Sequence, residues 1–280
     1  KNVVSQARIN ALVDTGLADH ILPEVSGLRL ERDEHHRHKD VYQHSLTVLR
    51  QAVQLEAEYA KRALSNAEGE AGDSVAEQSQ DTAKKATVDP EFTAPDFIVR
   101  FAALMHDVGN PAARKFAPGG AVTFYHHDVV GAKLTRSRMK KLNFDKETTT
   151  KVARLVELHL RFYGYGDAGW TDSAVRRYVT DAGDLLTRLH ILTRSDVTTR
   201  NRRKAERLAF AYDDLESRIE ALAQKEAIGA IRPDLNGQQI MEILEISPGP
   251  VVGRAYKHML DIRMEYGPCL LYTSDAADDS

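Results

Sequence analysis

Residues 97–111, with the sequence FIVRFAALMHDVGNP, decide how the fold of this chain is interpreted. The stretch begins as an apolar run of helical character and ends in His106 and Asp107, after which Gly109 and Pro111 stop the helix. Burying an imidazole beside a carboxylate costs free energy unless another group pairs with both, and a divalent cation does so well. The stretch therefore predicts a metal site at the end of a buried helix.

Other segments place metal-ligand side chains on apolar helix faces. Asp196 continues a stripe of leucines at helical spacing, and His159 and His44 share stripes with aliphatic residues. A further candidate is His126 or its neighbour His127. Any one buried histidine is more often a core residue than a ligand. The set has nitrogen and oxygen donors without sulfur, which predicts Mg, Mn, Fe or Zn acting as a Lewis acid.

The composition predicts an all-α protein without disulfides. The 280 residues are 42% hydrophobic and 28% charged, and helical periodicity recurs without a series of alternating strands. The single cysteine, Cys269, excludes a disulfide framework and zinc fingers. No apolar run approaches the roughly 18 residues of a membrane span. We expect a cytoplasmic protein that does not enter membranes, built as a helical bundle followed by a smaller helical region.

Three segments are expected to lie outside the packed bundle. Residues 66–95 are acidic and poor in apolar periodicity, which predicts a disordered surface insertion. The chain starts at Lys1 within a helical pattern, so we expect its natural amino terminus upstream. Residues 269–280 look like the translation of a sequencing adapter and are left out of the fold prediction.

Basic residues are clustered, although the net charge is −3. A run of cations is commonly a solvated face, but two runs near the predicted metal site favour contact with a nucleic-acid backbone. The predicted RNA-binding residues are Lys133, Arg136, Arg138, Lys140 and Lys141 in the first run and Arg200, Arg202, Arg203 and Lys204 in the second.

The order of the candidate ligands resembles the HD superfamily of metal-dependent phosphohydrolases. The superfamily motif matches His44, His106, Asp107 and Asp196, and His127 and His159 match the extra ligands of two-metal members. Segments 17–24, 33–42, 170–177 and 198–201 also resemble the bacterial CCA-adding tRNA nucleotidyltransferase and poly(A) polymerase family, especially its actinobacterial branch.

This resemblance implies a domain organisation and a set of partners. Residues 1–30 would end a helical linker behind a nucleotidyltransferase head, residues 31–215 would form the HD domain, and residues 216–268 would form a carboxy-terminal helical region. The resemblance implies tRNA as a partner, whereas CTP and ATP would bind only to the head, which we expect to be missing. The head also sets the choice between CCA and poly(A) addition, and without it we expect no nucleotide addition.

One residue departs from the family pattern. Members usually carry Lys four residues after the motif histidine, where this chain has Asn110. Lysine can hold a substrate phosphate by its charge, whereas asparagine offers only a neutral hydrogen bond. The predicted catalytic residues are Asp107 and Asn110. Because Asn110 replaces the lysine, we expect slower hydrolysis than in members that carry it.

Three functions remain open from the sequence. The first is the carboxy-terminal portion of a CCA-adding tRNA nucleotidyltransferase. The second is a stand-alone HD phosphohydrolase acting on a nucleotide or a cyclic phosphate, which would not need the likeness around Leu17 and Trp170. The third is a non-catalytic RNA-binding helical module, which Asn110 favours.

Overall fold

The computed structural model describes residues 4–30, 40–70, 88–116, 122–162, 170–226 and 231–268, and it confirms the all-α class. Two short strands, β1 (Lys115–Phe116) and β2 (Val122–Thr123), pair antiparallel with Lys115 opposite Thr123. Short 3-10 segments cover Gly27–Leu30, His159–Phe162 and Gly183–Leu185. The α-helices of the described ranges are α1 (Gln6–Asp14), α2 (Leu17–Ile21), α3 (Pro23–Ser26), α4 (Val41–Glu70), α5 (Phe97–Met105), α6 (Asn110–Ala113), α7 (His127–Lys141), α8 (Lys146–Leu158), α9 (Asp172–Ala182), α10 (Leu186–Ser195), α11 (Arg202–Lys225), α12 (Gly237–Leu244) and α13 (Pro250–Tyr266).

Side-chain caps define where several helices begin. Asp96 accepts a hydrogen bond from the backbone N–H of Val99 (2.8 Å), and Asp145 accepts one from Thr148 (2.8 Å). These oxygens satisfy N–H groups that have no partner within a helix, and each cap contributes about 1 kcal/mol. Thr171, Asn201 and Asn236 cap α9, α11 and α12 in the same way.

Helix α5 lies at the centre of the core. Its residues 101–105 are buried, and it packs against α4, α8 and α10. Helix α7 packs along α8 on one side of this layer. Each fully buried Leu, Phe or Met contributes roughly 1.5–3 kcal/mol, so the apolar run at 97–105 holds three other helices around it. The predicted buried helix before His106 is confirmed.

The prediction that residues 66–95 form a disordered insertion is wrong for residues 66–70 and 88–95. Helix α4 continues to Glu70, and the side chains of Val88 and Phe92 are buried. Within this stretch Asp89 accepts from the N–H of Glu91 (2.9 Å), and Asp96, which directly follows the stretch, pairs with the distant Arg188 (2.8 Å). The middle of the insertion, residues 71–87, and the suspected adapter at 269–280 lie outside the described residues.

The carboxy-terminal helices attach to the bundle through α9 and α11. The predicted division after residue 215 falls inside α11, whose residues Leu215, Ile219 and Leu222 are buried on both sides of that point. Arg176 of α9 reaches the carbonyl oxygen of Met264 (3.2 Å) and so ties α13 to the bundle. Among the described helices none combines the length and the apolarity that crossing a bilayer requires.

Candidate metal centre

Helix ends position most of the predicted ligands. His106, His159 and Asp196 directly follow the last residues of α5, α8 and α10, and His127 is the first residue of α7. His44 is in the first turn of α4. Five separate elements thus bring one end or one turn each to the same place, together with Asp107 next to His106.

Hydrogen bonds fix the orientation of the imidazole rings. The Nδ1 atom of His106 lies 2.9 Å from the carbonyl oxygen of Ala103, and that of His159 lies 2.6 Å from the carbonyl oxygen of Val156. These carbonyls belong to the last turns of helices, where such groups lack a helical partner. A carbonyl only accepts, so each Nδ1 carries the proton. The same contact joins His127 to Phe124 (2.9 Å), and His44 Nδ1 lies 3.2 Å from Thr198 Oγ1.

The Nε2 atoms face one another in two groups. The first group contains His44, His106 and Asp196, and the two Nε2 atoms are 3.2 Å apart. Oδ1 of Asp196 lies 2.9 Å from Nε2 of His44 and 3.5 Å from Nε2 of His106. Lone pairs that converge at this distance need a proton or a cation between them, so the group could hold one metal ion.

The second group contains Asp107, His127 and His159. Nε2 of His127 lies 3.3 Å from Nε2 of His159 and 3.4 Å from Oδ1 of Asp107. The other oxygen of Asp107, Oδ2, lies 3.2 Å from His106 Nε2 and 3.5 Å from His44 Nε2 of the first group. Asp107 therefore presents one oxygen to each group, as a carboxylate shared by two cations would.

Burial and charge shift the pKa values in opposite directions within the cluster. Burial opposes ionisation of Asp107 and Asp196, but His106 and His44 outweigh it and hold both pKa values well below the usual range. Burial would lower the pKa of His106, yet the two carboxylates raise it well above its ordinary value. For His159, burial and the charge of His106 lower the pKa to about 4. The carboxylates are anionic, which suits them to a cation.

One side of the cluster is open. The side chain of Asp196 is 29% exposed and that of His44 is 18% exposed, whereas His106 is 1% exposed. A small ligand can therefore reach the first group from the surface formed by α4 and the end of α10.

Two glycines that the sequence analysis did not connect to the site allow the second group to form. A Cβ on Gly109 would lie 2.0 Å from the carbonyl oxygen of His127 and 2.6 Å from the backbone nitrogen of Gly131. Gly131 in turn lies against Gly109 and Val156. This close approach of α7 to the turn after Asp107 brings His127 to the site. From the sequence, Gly109, two residues after Asp107, is predicted only as a helix stop.

Asn110 begins α6 directly beside the cluster. Its backbone N–H donates to the carbonyl oxygen of Asp107 (3.0 Å), and the side chain is buried. Its Oδ1 atom has no hydrogen-bond partner among the described residues. A buried amide oxygen without a partner is costly, so this position is not optimised for stability alone.

The predicted RNA-binding cations divide into those that have an anionic partner and those that form no ion pair within the described residues. Arg138 is held by Glu24 through hydrogen bonds of 2.8 to 3.1 Å, so its guanidinium already has an anionic partner. Arg136 lies 3.6 Å from Glu157, and Arg202 is paired with Glu206 at 2.8 Å. The exposed remainder consists of Lys133, Lys140, Lys141, Arg200, Arg203 and Lys204.

Comparison with known proteins identifies the family. The HD domain family matches residues 41–201, more than half of the chain, and the chain belongs to this family. HD domains are metal-dependent phosphohydrolase-type domains that bind divalent metal ions, in keeping with the two ligand groups.

Two curated proteins are also similar in sequence to this chain. The chain is 35% identical over 169 residues to a CC-adding tRNA nucleotidyltransferase of Thermus thermophilus, covering 59% of this chain and 36% of that protein. It is 32% identical over 170 residues to an A-adding tRNA nucleotidyltransferase of Deinococcus radiodurans, covering 60% of this chain and 38% of that protein. The chain thus spans little more than a third of the length of these relatives. The predicted resemblance to tRNA nucleotidyltransferases with an HD domain is confirmed.

Proposed function

We propose that this chain is the HD-domain portion of a tRNA nucleotidyltransferase and that its HD site is a metal-dependent phosphohydrolase. The observation that carries the hydrolase is Asp107, whose two oxygens face two separate ligand groups. The names of the two relatives support tRNA as the partner, and CTP and ATP would be substrates of a further domain. Residues 1–30 would belong to a helical region before the HD domain, and α12 and α13 to one after it.

We assign the ligands from the two groups. His44, His106 and Asp196 would hold one cation together with Oδ2 of Asp107, and His127 and His159 would hold a second with Oδ1 of Asp107. Four imidazoles among six ligands favour a transition ion such as Mn, Fe or Zn over Mg, which prefers oxygen.

When bound, the cations supply a Lewis acid and an acidic water for attack on phosphorus. The protein orients the imidazole ligands, because each Nδ1 contact holds a ring so that its Nε2 lone pair faces the cluster. The partial exposure of Asp196 and His44 leaves room for a phosphate on that side. The catalytic residues would be Asp107, through the cations, and Asn110, through a neutral hydrogen bond to phosphate.

A non-catalytic RNA-binding module is the second candidate. It is favoured by Asn110, since a neutral side chain replaces the lysine that family members usually carry. A stand-alone HD phosphohydrolase has no such observation in its favour, because the likeness to tRNA nucleotidyltransferases extends beyond the ligands.

The test combines elemental analysis with hydrolysis of a 2′,3′-cyclic nucleotide and of an RNA with a 3′-phosphate. We expect metal-dependent hydrolysis that is lost in Asp107→Asn, and a lower metal content in His127→Asn. His126→Asn is the matched control, because His126 is exposed, lies next to His127, and has a left-handed φ of 63° that Asn tolerates. Metal without hydrolysis would favour the RNA-binding module, and equal metal content in all proteins would refute the ligand assignment.

A further inference from the structure

The first half of α11 carries a cationic face with an exposed aromatic ring. Arg203, Arg207 and Phe210 are spaced by four and three residues, which places them on one side of the helix. The opposite side, with Tyr212 and Leu215, is buried in the bundle. Phe210 is 73% exposed, so its ring contributes little to the core. An exposed phenyl ring one helical turn after Arg207 is a feature that stability does not require.

The amino end of α11 carries positive charges, whereas the amino end of a helix favours negative ones. The first turn of α11 contains Arg202, Arg203 and Lys204 and no acidic residue, whereas α7, α8 and α9 each begin with an acid in that turn. The amino end of a helix carries a partial positive charge, so cations there repel it. A bound anion would relieve this repulsion.

The cations of the face are available to a ligand. Arg202 is paired with Glu206 at 2.8 Å, but within the described ranges the side chains of Arg203, Lys204 and Arg207 form no ion pair. All three are exposed. Asn201 caps the helix through the N–H of Lys204 (3.1 Å) and so holds the first turn in place. The face therefore presents exposed cations, which form no ion pair in the described part of the chain, beside an exposed ring.

We propose that Arg203, Lys204, Arg207 and Phe210 form a site for single-stranded RNA, in which the cations bind phosphates and Phe210 stacks on an unpaired base. This inference rests on the proposed function, because it takes the partner to be RNA. Phe210 lies roughly 10 Å along the helix from Arg203, so a phosphate and a base can be bound together. Bases stack on exposed aromatic rings without sequence preference, and arginines hold the backbone.

The site also lies close to the metal centre along the chain. Helix α11 begins six residues after Asp196, and the connecting segment contains Thr198, whose hydroxyl contacts His44. An acidic protein would match the cations as well, but a flat ring beside cations suits an unpaired base beside its phosphate in particular. The combination of ring and cations therefore favours RNA as the partner. We expect tighter binding of unpaired RNA than of duplex RNA, because only unpaired bases can stack on Phe210.

The experiment measures binding of the full chain to a fluorescent 12-nucleotide single-stranded RNA and to its duplex. Phe210→Ala should weaken single-strand binding by about 5- to 150-fold, and Phe210→Trp should restore it. Tyr266→Ala removes an equally exposed aromatic residue, 80% exposed, and should leave binding unchanged. Arg203→Gln with Arg207→Gln should lower the slope of log affinity against log salt by about 1.4.

Three outcomes would overturn the proposal: undetectable binding of single-stranded RNA, equal binding by Phe210→Ala, or equal affinity for duplex. Effective competition by polyglutamate at matched charge would assign the face to an acidic protein instead. Metal content and hydrolysis are measured on the same variants. If both persist while RNA binding does not respond to Phe210, this inference fails and the proposed hydrolase stands. If both are absent while the Phe210 effects appear, the hydrolase fails and the RNA site stands.

Discussion

At the scale of single residues, the chain uses inward-facing histidines in two ways. The four histidines of the metal centre have an Nδ1 hydrogen bond and an Nε2 atom that faces the ligand groups. His190 is buried, but neither of its ring nitrogens has a hydrogen-bond partner among the described residues. It stacks on Tyr178 with ring centres 5.7 Å apart. A histidine buried in this way belongs to the core and must stay neutral.

We predict that His190 makes the protein acid-labile. Burial lowers its pKa from 6.5 to about 4. Between pH 4 and pH 6.5 the unfolded chain binds more protons than the folded chain does. The stabilising contribution of neutral His190 is therefore present above pH 6.5 and is lost as the pH falls towards 4. The linkage relation gives a loss of about 2 kcal/mol by pH 5. Urea unfolding at pH 7.5 and 5.0 is the measurement.

His190→Phe is the comparison for that prediction, because it keeps an aromatic ring beside Tyr178 and cannot titrate. The variant should lose about 2 kcal/mol less than the parent between the two pH values. His159, whose pKa is also lowered to about 4, is common to both proteins and cancels in the difference. An equal loss in parent and variant would contradict the prediction.

We predict that Asn110→Lys increases hydrolysis by the HD site roughly tenfold. A charged donor holds a phosphate oxygen about 1–1.5 kcal/mol more strongly than a neutral amide does. Steady-state hydrolysis of a 2′,3′-cyclic nucleotide measures the change, with metal content as the check that the ligands are intact. Ala112→Lys adds the same charge at an exposed position in the same turn and should have no such effect. A slower Asn110→Lys enzyme with full metal content would show that the amide itself is needed.

At the scale of elements, the second ligand group depends on how closely two backbone segments approach. Gly131 of α7 has the backbone nitrogen of Gly109 within 3.3 Å and Val156 Cγ1 within 3.2 Å of where a Cβ would lie. Helix α7 rests on α8 along the same side. The position of His127, the first residue of α7, therefore follows from a contact between two glycines and a valine.

We predict that Gly131→Ala removes the second cation more than the first. The added methyl group pushes α7 away from the turn after Asp107, so His127 moves away from Asp107 while His44, His106 and Asp196 keep their places. Elemental analysis should give a ratio closer to one metal ion than to two. Gly253→Ala is the control, since that glycine of α13 has nothing within 4 Å of the added Cβ. An unchanged ratio in Gly131→Ala would mean that α7 adapts to the methyl group.

At the scale of the whole molecule, the ligands join elements that are far apart in the chain. His44 and Asp196 are separated by 152 residues, yet their ligand atoms are 2.9 Å apart. A cation bound there holds α4, the end of α5 and the end of α10 together. Binding to the folded state alone stabilises it by mass action, by about 2.7 kcal/mol when the free ion is at one hundred times its dissociation constant.

We predict that MnCl2 raises the melting temperature of chelator-treated protein and that EDTA reverses the increase. Differential scanning calorimetry measures the shift over a series of ion concentrations. Asp196→Asn should abolish most of the shift, because it removes a carboxylate from the first group. Asp213→Asn alters an exposed carboxylate that pairs with Arg194, and it should keep the shift. A shift of the same size in Asp196→Asn would place the bound ion elsewhere.

The sequence by itself determined the helical class, the buried helix before His106 and the identity of the ligand candidates. These depend on near neighbours: caps such as Asp145 and Asn236, and the apolar run that ends in His106 and Asp107. Spacing within a helix places a side chain on a face, so the inward position of each candidate could be predicted one helix at a time.

Only the tertiary structure decided how those candidates meet. Which oxygen of Asp107 faces which histidine, and the contact of Gly109 with α7, depend on packing between helices that the chain brings together from a distance. The same holds for the ion pair of Arg138 with Glu24, which lies 114 residues earlier in the chain. Local sequence patterns carry no information about such pairs, because the contacts form only when the core is packed.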